Sequence, residues 1–359
     1  MKRVYLTNQT PINFSFIQAP NSFKVIEGAK TKLIKRGNYK LVKATKIEKS
    51  TIELIEYLSE VFRIDKQEIG YAGLKDKHAT TTQYLTLPKF IRVDKFKNND
   101  SVQLEELGFC AKPLKIGDLS YNTFNITLEN ISEDEFKKLE KSLELISKNG
   151  FANFFGHQRF GAEDESSVEK GKKIAHSGER AKNQRGKILL ASYQSKHFNL
   201  WLNRRLEISK NIVNGKKDSF IEQLSPKLIK TIQNSPTLFK LLPGDLGYTF
   251  KSGRKNFNNV TDINSFSKAF LKRQFYPTGV LFGSSVRLSS SIAKSIEQQF
   301  IDPDFNSLRG ARRAAWVWPK DAKCWYNSKK QSAKLSFSLL PGSYATVLLE
   351  ELANRSLNE

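Results

Sequence analysis

The stretch Gly73-Leu74-Lys75-Asp76-Lys77-His78-Ala79-Thr80-Thr81-Thr82-Gln83 places one carboxylate between two ammonium groups. The adjacent lysines favour the charged form of Asp76, so we expect the pKa of its carboxyl group to lie at or below the ordinary value of about 4. An aspartate that is ionised at neutral pH suits a nucleophile or a group that stabilises positive charge. It does not suit a general acid, which needs a raised pKa.

The same residues also fit a solvated loop, because a lysine-rich chain can produce such a triplet by chance. The flanking segments favour the functional interpretation. Ser50 and Glu53 have the spacing of a capping box, and the apolar periodicity after them predicts a helix over residues 51–62. This helix is expected to bury Ile52, Ile55, Leu58 and Phe62. Residues 83–87 alternate like a strand, so regular structure is expected to fix both ends of the Asp76 connection.

Composition narrows the class of protein. The chain has 359 residues, a length typical of two domains. It carries 59 Lys and Arg against 36 Asp and Glu, and this net charge of +23 implies a polyanionic partner, either nucleic acid or an acidic membrane surface. No apolar run approaches the roughly 20 residues of a spanning helix, and no signal-peptide core is visible, so we expect nucleic acid and no membrane.

The two cysteines, Cys110 and Cys324, form no pattern, which fits a reduced, cytoplasmic protein. The four histidines lack the spacing of metal ligands, so we expect no metal. The chain also has no glycine loop of the kind that binds nucleotides, and we expect no cofactor.

Other segments show strong local patterns. Phe124, Ile126 and Leu128 share one face of a predicted strand over residues 121–128, and a capped helix ended by Gly150 is expected to follow it. The string Asn153-Phe154-Phe155-Gly156-His157-Gln158-Arg159-Phe160-Gly161 combines aromatic rings and two glycines with an arginine able to grip phosphate bidentately. Such a string could equally form a packed domain corner.

Taken together, these segments resemble the TruD family of tRNA pseudouridine synthases. The family's active-site motif is an Ala-Gly, a variable residue and Lys-Asp-Lys-His-Ala, which stands here as residues 72–79. Residues 153–161 resemble its Asn-Tyr-Phe-Gly-x-Gln-Arg-Phe-Gly motif with one Tyr-to-Phe exchange. Residues 20–27, 121–128 and 341–346 are similar to three further family segments, although Ser22 and Tyr121 replace an Asp and a Gly.

The resemblance implies an α+β fold in two parts with a V-shaped arrangement. A catalytic pseudouridine synthase domain with a mixed sheet would comprise residues 1–152 and 309–359, and residues 153–308 would form an inserted α/β TRUD domain that faces RNA. Within the insertion, the cationic runs 171–173 and 180–187 precede a predicted helix over residues 188–206. These runs are either a solvated face or a surface that grips tRNA.

The resemblance also implies an activity: isomerisation of a uridine in tRNA, usually uridine 13, to pseudouridine by a monomer. Asp76 would be the nucleophile, attacking C1′ or acting by another route. The expected substrate-binding residues are Phe23, Asn122, Phe124 and Tyr344. The expected supporting residues are Lys75, Lys77, Glu27 and Arg159.

Two other functions compete with this one. A non-catalytic basic RNA-binding protein of the same fold would bind tRNA without making product. A metal-dependent phosphodiesterase using Asp76 would need further acidic ligands near the loop, and the sequence shows none there.

Overall fold

The computed structural model describes residues 3–5, 7, 9–161, 164–177, 184–252 and 254–357. Contacts divide the chain into two compact units. The sheet unit comprises residues 12–147 and 319–342, and the larger unit comprises residues 1–11, 148–318 and 343–359.

The described residues form strands and helices from both parts of the chain. The strands are β1 Phe23–Ala29, β2 Tyr39–Ile47, β3 Gly70–Tyr71, β4 Thr80–Pro88, β5 Val102–Cys110, β6 Leu119–Leu128, β7 Phe151–Ala152, β8 Leu246–Lys251, β9 Arg254–Asn259, β10 Tyr276–Leu281, β11 Ala311–Ala314, β12 Trp316–Val317, β13 Lys320–Asn327 and β14 Ser332–Leu339. The α-helices are α1 Thr51–Phe62, α2 Glu133–Asn149, α3 Asp164–His176, α4 Gln184–Val213, α5 Pro226–Gln233, α6 Ile263–Leu271, α7 Ser291–Gln298 and α8 Ala345–Ala353. This content confirms the predicted α+β class.

The sheet unit is built on a mixed sheet. Its strand order is β13-β14-β6-β1-β4-β2-β5, and the short strand β3 pairs with β4. Strands β1 and β4 run parallel, with Lys24 opposite Thr80, while the other named pairs of this sheet are antiparallel. Because β4 begins at Thr80 in the centre of the sheet, the Asp76 loop emerges beside the start of β1.

Helix α1 covers one face of this sheet and begins as predicted. The Ser50 hydroxyl accepts from the Glu53 amide, and the Glu53 carboxylate accepts from the Ser50 amide, which closes the capping box. The predicted stripe was wrong at Ile52, which is 47% exposed. The buried face is instead Thr51, Leu54, Ile55 and Leu58. These positions follow the i, i+3, i+4, i+7 spacing of a single helical face.

In the larger unit, the 30-residue helix α4 contains the helix that the sequence predicted over residues 188–206 and extends beyond it at both ends. Its neighbours include a sheet of order β11-β10-β8-β9. Trp201 of α4 packs so closely on Gly279 of β10 that a Cβ there would lie 2.1 Å from the indole ring, so only glycine fits. Of the predicted cationic runs, residues 180–183 lie outside the described residues.

Residues 3–5, 7, 9–11 and 343–357 cluster with this larger unit, and the domain bounds expected from the sequence stay a prediction. The cause is long-range pairing that no local pattern reveals. The Arg3 guanidinium contacts the carboxylates of Glu350 and Glu351 at 2.6 and 2.7 Å. The Gln9 amide donates to the Leu352 carbonyl at 2.7 Å. Arg3 and Gln9 thereby join the first segment of the chain to α8.

Breaking a buried ion pair should destabilise the larger unit. The Arg205 guanidinium bonds both carboxylate oxygens of Asp245, at 2.6 and 2.9 Å, and both side chains are almost fully buried. We expect Asp245→Ala to lower the free energy of unfolding by about 3–5 kcal/mol, because the guanidinium stays buried without its partner. Urea denaturation measures the change. Glu207→Ala, at an exposed ion pair, should lower the free energy of unfolding by less than about 1 kcal/mol. Equal losses in the two variants would show that the buried pair contributes no more than the exposed one.

Candidate active site

The backbone of the Asp76 loop is held by a buried lysine. Lys46 lies in β2 opposite Thr81 of β4 and is fully buried. Its Nζ donates to the backbone carbonyl of Asp76 at 2.9 Å and to the carbonyl of Lys49. Desolvation lowers the pKa of the Lys46 ammonium to about 8, and the nearby charge of Asp76 opposes this shift. The lysine therefore fixes where residue 76 leaves the sheet.

Lys75 is turned away from the loop surface. Its backbone amide donates to the Thr51 hydroxyl at 2.8 Å, and that hydroxyl donates to the Gln83 side-chain carbonyl at 2.9 Å. Its ammonium forms a buried ion pair with Glu27. Glu27 also accepts from the Tyr84 amide at 3.2 Å, which ties the pair to β4.

Lys77 points to the helix on the other side of the loop. Its ammonium lies 2.6 Å from the Glu53 carboxylate in an exposed pair. Together with the Ser50 bonds of the capping box, this contact lowers the pKa of Glu53 to about 2. The two lysines that flank Asp76 in sequence thus each have a carboxylate of their own.

The Asp76 carboxylate is left unpaired. It is exposed to solvent, and within the described part of the chain it accepts no hydrogen bond and forms no ion pair. The surrounding protein nevertheless removes part of its hydration, which raises the pKa of Asp76, while Lys46, Lys75 and His78 act in the opposite direction. The expectation of a pKa at or below the ordinary value was therefore wrong. Lys75 and Lys77 are paired with Glu27 and Glu53. Desolvation therefore has a larger effect on the pKa of Asp76 than the nearby positive charges do.

Asn122 lies beside this loop's ion pair, opposite Glu27 in the register of β6 and β1. Its Oδ1 is buried and has no hydrogen-bond donor among the described residues. A buried acceptor without a donor costs about 1–3 kcal/mol, so it is a natural position for a ligand donor.

Phe23 and Phe124 form part of an aromatic column on the sheet. Their ring centroids lie 5.9 Å apart, and Phe124 stacks on Phe337 at 5.6 Å. Phe23 is only 1% exposed. The two rings thus build the floor of this region, and little of either ring face is open.

Tyr344 and Arg159 belong to the larger unit, where they contact a common neighbour, Phe155. The Tyr344 ring lies 6.1 Å from the Phe155 ring, and the Arg159 guanidinium lies 5.4 Å from its centroid. A Cβ on Gly156 would lie 3.1 Å from the Tyr344 ring, so this glycine permits the close approach. The structure therefore groups Asp76, Lys75, Lys77, Glu27, Asn122, Phe23 and Phe124 in the sheet unit, and Tyr344 and Arg159 in the larger one.

Sequence reasoning missed Lys46 as a functional residue. A single lysine in a strand is expected to be exposed. Only the pairing of β2 with β4 places Lys46 beneath Asp76. Among the described residues, no cluster of three or more potential metal ligands is present, and no helix is long and apolar enough to cross a membrane.

Comparison with known proteins shows the family of this chain. The profile described as tRNA pseudouridine synthase D (TruD) matches residues 2–180 and 167–352. The tRNA pseudouridine synthase D of Wolinella succinogenes is 37% identical over 364 residues, covering 99% of both chains, and that of a Nitratiruptor species is 34% identical over 361 residues, again covering 99% of both. The chain therefore belongs to the TruD family.

A solved structure shares the fold. The crystal structure of the putative tRNA pseudouridine synthase D from Methanosarcina mazei superimposes with a TM-score of 0.72 at 23% identity, covering 99% of this chain and 97% of the other. At this identity the likeness supports the fold, and the two-part α+β architecture predicted from sequence is confirmed.

Replacing Lys46 should change the titration of Asp76. Lys46→Met removes the largest charge that lowers the Asp76 pKa, so we expect this pKa to rise further above its wild-type value. Carbon-13 NMR of protein labelled at the aspartate carboxyl carbons measures it, with Asp76→Asn to assign the signal. Lys77→Met is the matched control, because Lys77 neutralises Glu53. An unchanged Asp76 pKa in Lys46→Met would show that the Lys46 ammonium does not lie close enough to Asp76 to stabilise its charge.

Proposed function

We propose that this protein converts a uridine of tRNA to pseudouridine, with uridine 13 as the target and Asp76 as the nucleophile. The relatives' names state the tRNA pseudouridine synthase activity for those proteins. The observation that carries the proposal here is the exposed Asp76 carboxylate, which is unpaired among the described residues while Lys46, Lys75 and Lys77 are each held by other groups. Such a carboxylate is fixed through its backbone and open at its reactive end.

The chemistry requires one ionised carboxylate. The N1–C1′ bond breaks, the uracil turns, and its C5 joins C1′ with release of the C5 proton. Uracil leaves as a delocalised anion, so no second carboxylic acid is needed to protonate it, in contrast to most glycosidases. Asp76 either attacks C1′ or stabilises the cationic sugar. Partial desolvation strengthens both actions, because water competes less for the carboxylate.

The detached base must be held while it turns. Asn122 suits this role because its buried Oδ1 can accept from the N3–H of uracil and so gain the donor it lacks. Phe23 and Phe124 would support the base indirectly, as packed rings in the floor of the site. Stacking contributes roughly 1–3 kcal/mol per base, which offsets the cost of removing the uridine from its helix.

The proposed RNA partner is inferred from the net charge of the chain. A net charge of +23 favours a polyanion, and tRNA supplies it. Lys75, Glu27 and Lys77 are supporting residues that fix the loop, and they need not touch RNA.

Asp76→Asn should abolish conversion and leave tRNA affinity within about threefold of wild type, because the amide keeps the shape but cannot act as a nucleophile. Tritium release from transcribed tRNA containing 5-³H-uridine measures conversion, and filter binding measures affinity. EDTA should have no effect on the wild type. Tight tRNA binding without any release by wild type would favour the RNA-binding alternative, and wild-type release by Asp76→Asn would reject Asp76 as nucleophile.

The rate should depend on pH through Asp76. Only the ionised form reacts, so the single-turnover rate should fall as pH falls through the raised pKa, with a midpoint above roughly 4. Quenched time courses on 5-³H-uridine tRNA between pH 4 and 8 give the profile. Circular dichroism at each pH separates loss of ionisation from loss of fold. A midpoint at or below about 4 in folded protein would contradict the desolvated carboxylate.

A further inference from the structure

Two arginines of the larger unit converge on one aromatic ring. The Arg313 guanidinium lies 3.8 Å from the centroid of Phe155, and the Arg159 guanidinium lies 5.4 Å from the same centroid. Arg313 reaches this position from β11 by donating to the backbone carbonyls of Asn153 and Phe154 and to the Asn153 side chain, at 3.0–3.3 Å. Arg159 is held by its Nε, which donates to the Ser195 hydroxyl at 3.0 Å. We call these two side chains the arginine pair.

The charge of the arginine pair is uncompensated. Among the described residues, neither guanidinium has a carboxylate within ion-pair distance. Four other arginines of this unit that are partly or fully buried each face a carboxylate. They are Arg3, Arg204, Arg205 and Arg312. Two like charges brought close together without a counter-charge repel each other, so the arrangement favours an anion that binds to both.

The pair retains donors for such an anion. Both arginines are partly exposed. Within the described structure, Nη1 and Nη2 of Arg159 and Nη1 of Arg313 donate to no protein acceptor. A phosphodiester matches this set, because its two non-bridging oxygens can each accept from a planar guanidinium. Burial and the neighbouring Arg159 lower the pKa of Arg313 to about 10, which leaves it charged at neutral pH.

We propose that Arg159 and Arg313 form a binding site for one backbone phosphate of the RNA substrate. This assignment rests on the proposed function, which makes RNA the polyanion. The surroundings of the arginine pair suit RNA, because they include two aromatic rings of the kind that contact bases. These are the rings of Phe155 and Tyr344, whose centroids lie 6.1 Å apart. A cavity of about 940 Å³ also borders Phe155 and Gly156, and its lining includes further cations. These are Lys196, Lys210 and Arg355, while Arg3 in the same lining is paired with Glu350 and Glu351.

The experiment uses the full-length protein and a tRNA transcript that wild type converts. Arg159→Gln removes one member of the pair without removing the carbonyl contacts of Arg313. The matched control is Arg309→Gln, which deletes the same charge at an exposed position. A set of tRNAs is prepared in which each has a single neutral methylphosphonate linkage, with the corresponding 2′-deoxy phosphodiester as reference. Filter binding gives Kd for every combination, and tritium release monitors conversion separately.

We expect Arg159→Gln to raise Kd about tenfold and to lower the slope of log Kd against log salt by about 1, as for loss of one phosphate contact. One methylphosphonate should weaken wild type to a similar extent and have no further effect on Arg159→Gln. Arg309→Gln should keep the wild-type response to that linkage. If every linkage effect persists in Arg159→Gln, or if both variants bind like wild type, the phosphate site is rejected while conversion by wild type still supports the proposed function. Absence of both tRNA binding and conversion by wild type would reject the two proposals together.

Discussion

The candidate active site depends on the buried ammonium group of Lys46. Its Nζ donates to the backbone carbonyls of Asp76 and Lys49, which joins the Asp76 loop to the segment preceding α1. A fully buried cation is costly, and desolvation accordingly lowers its pKa to about 8. The carbonyl bonds and the nearby Asp76 charge offset that cost. The lysine therefore ties the position of the loop to the register between β2 and β4.

The other charges near the loop follow from this constraint. Once the backbone of residue 76 is fixed, Lys75 is directed into the buried pair with Glu27, and Lys77 is directed to Glu53 at the start of α1. A loop with three lysines close to one aspartate thus leaves that carboxylate unpaired among the described residues. Its raised pKa reflects desolvation that these cations only partly offset. Positioning through the backbone keeps the reactive oxygens available to a substrate.

Local patterns in the sequence were sufficient for some elements. Helix α1 begins and ends where the Ser50 capping box and the apolar spacing predicted, because both signals act within a few residues. The exposure of Ile52 shows the limit, since Ile52, Leu54 and Ile55 are all apolar within one helical turn and their spacing does not reveal which of them face the sheet. The pairing of Lys75 with Glu27, the contact of Arg3 with α8 and the position of Lys46 all join residues distant in sequence. No local signal encodes them, so the direction of the Asp76 pKa shift was not predicted.

The most direct test of this account is the single-turnover rate of Lys46→Met with Asp76 unchanged, at a pH where Asp76 is ionised and at tRNA concentrations that saturate binding. Without the Lys46 donor the loop loses its anchor, and a displacement of about 1 Å can cost on the order of 100-fold in rate. We expect such a loss, with tRNA affinity close to that of wild type. A folded Lys46→Met protein that converts tRNA at the wild-type rate would show that the buried lysine does not position the nucleophile.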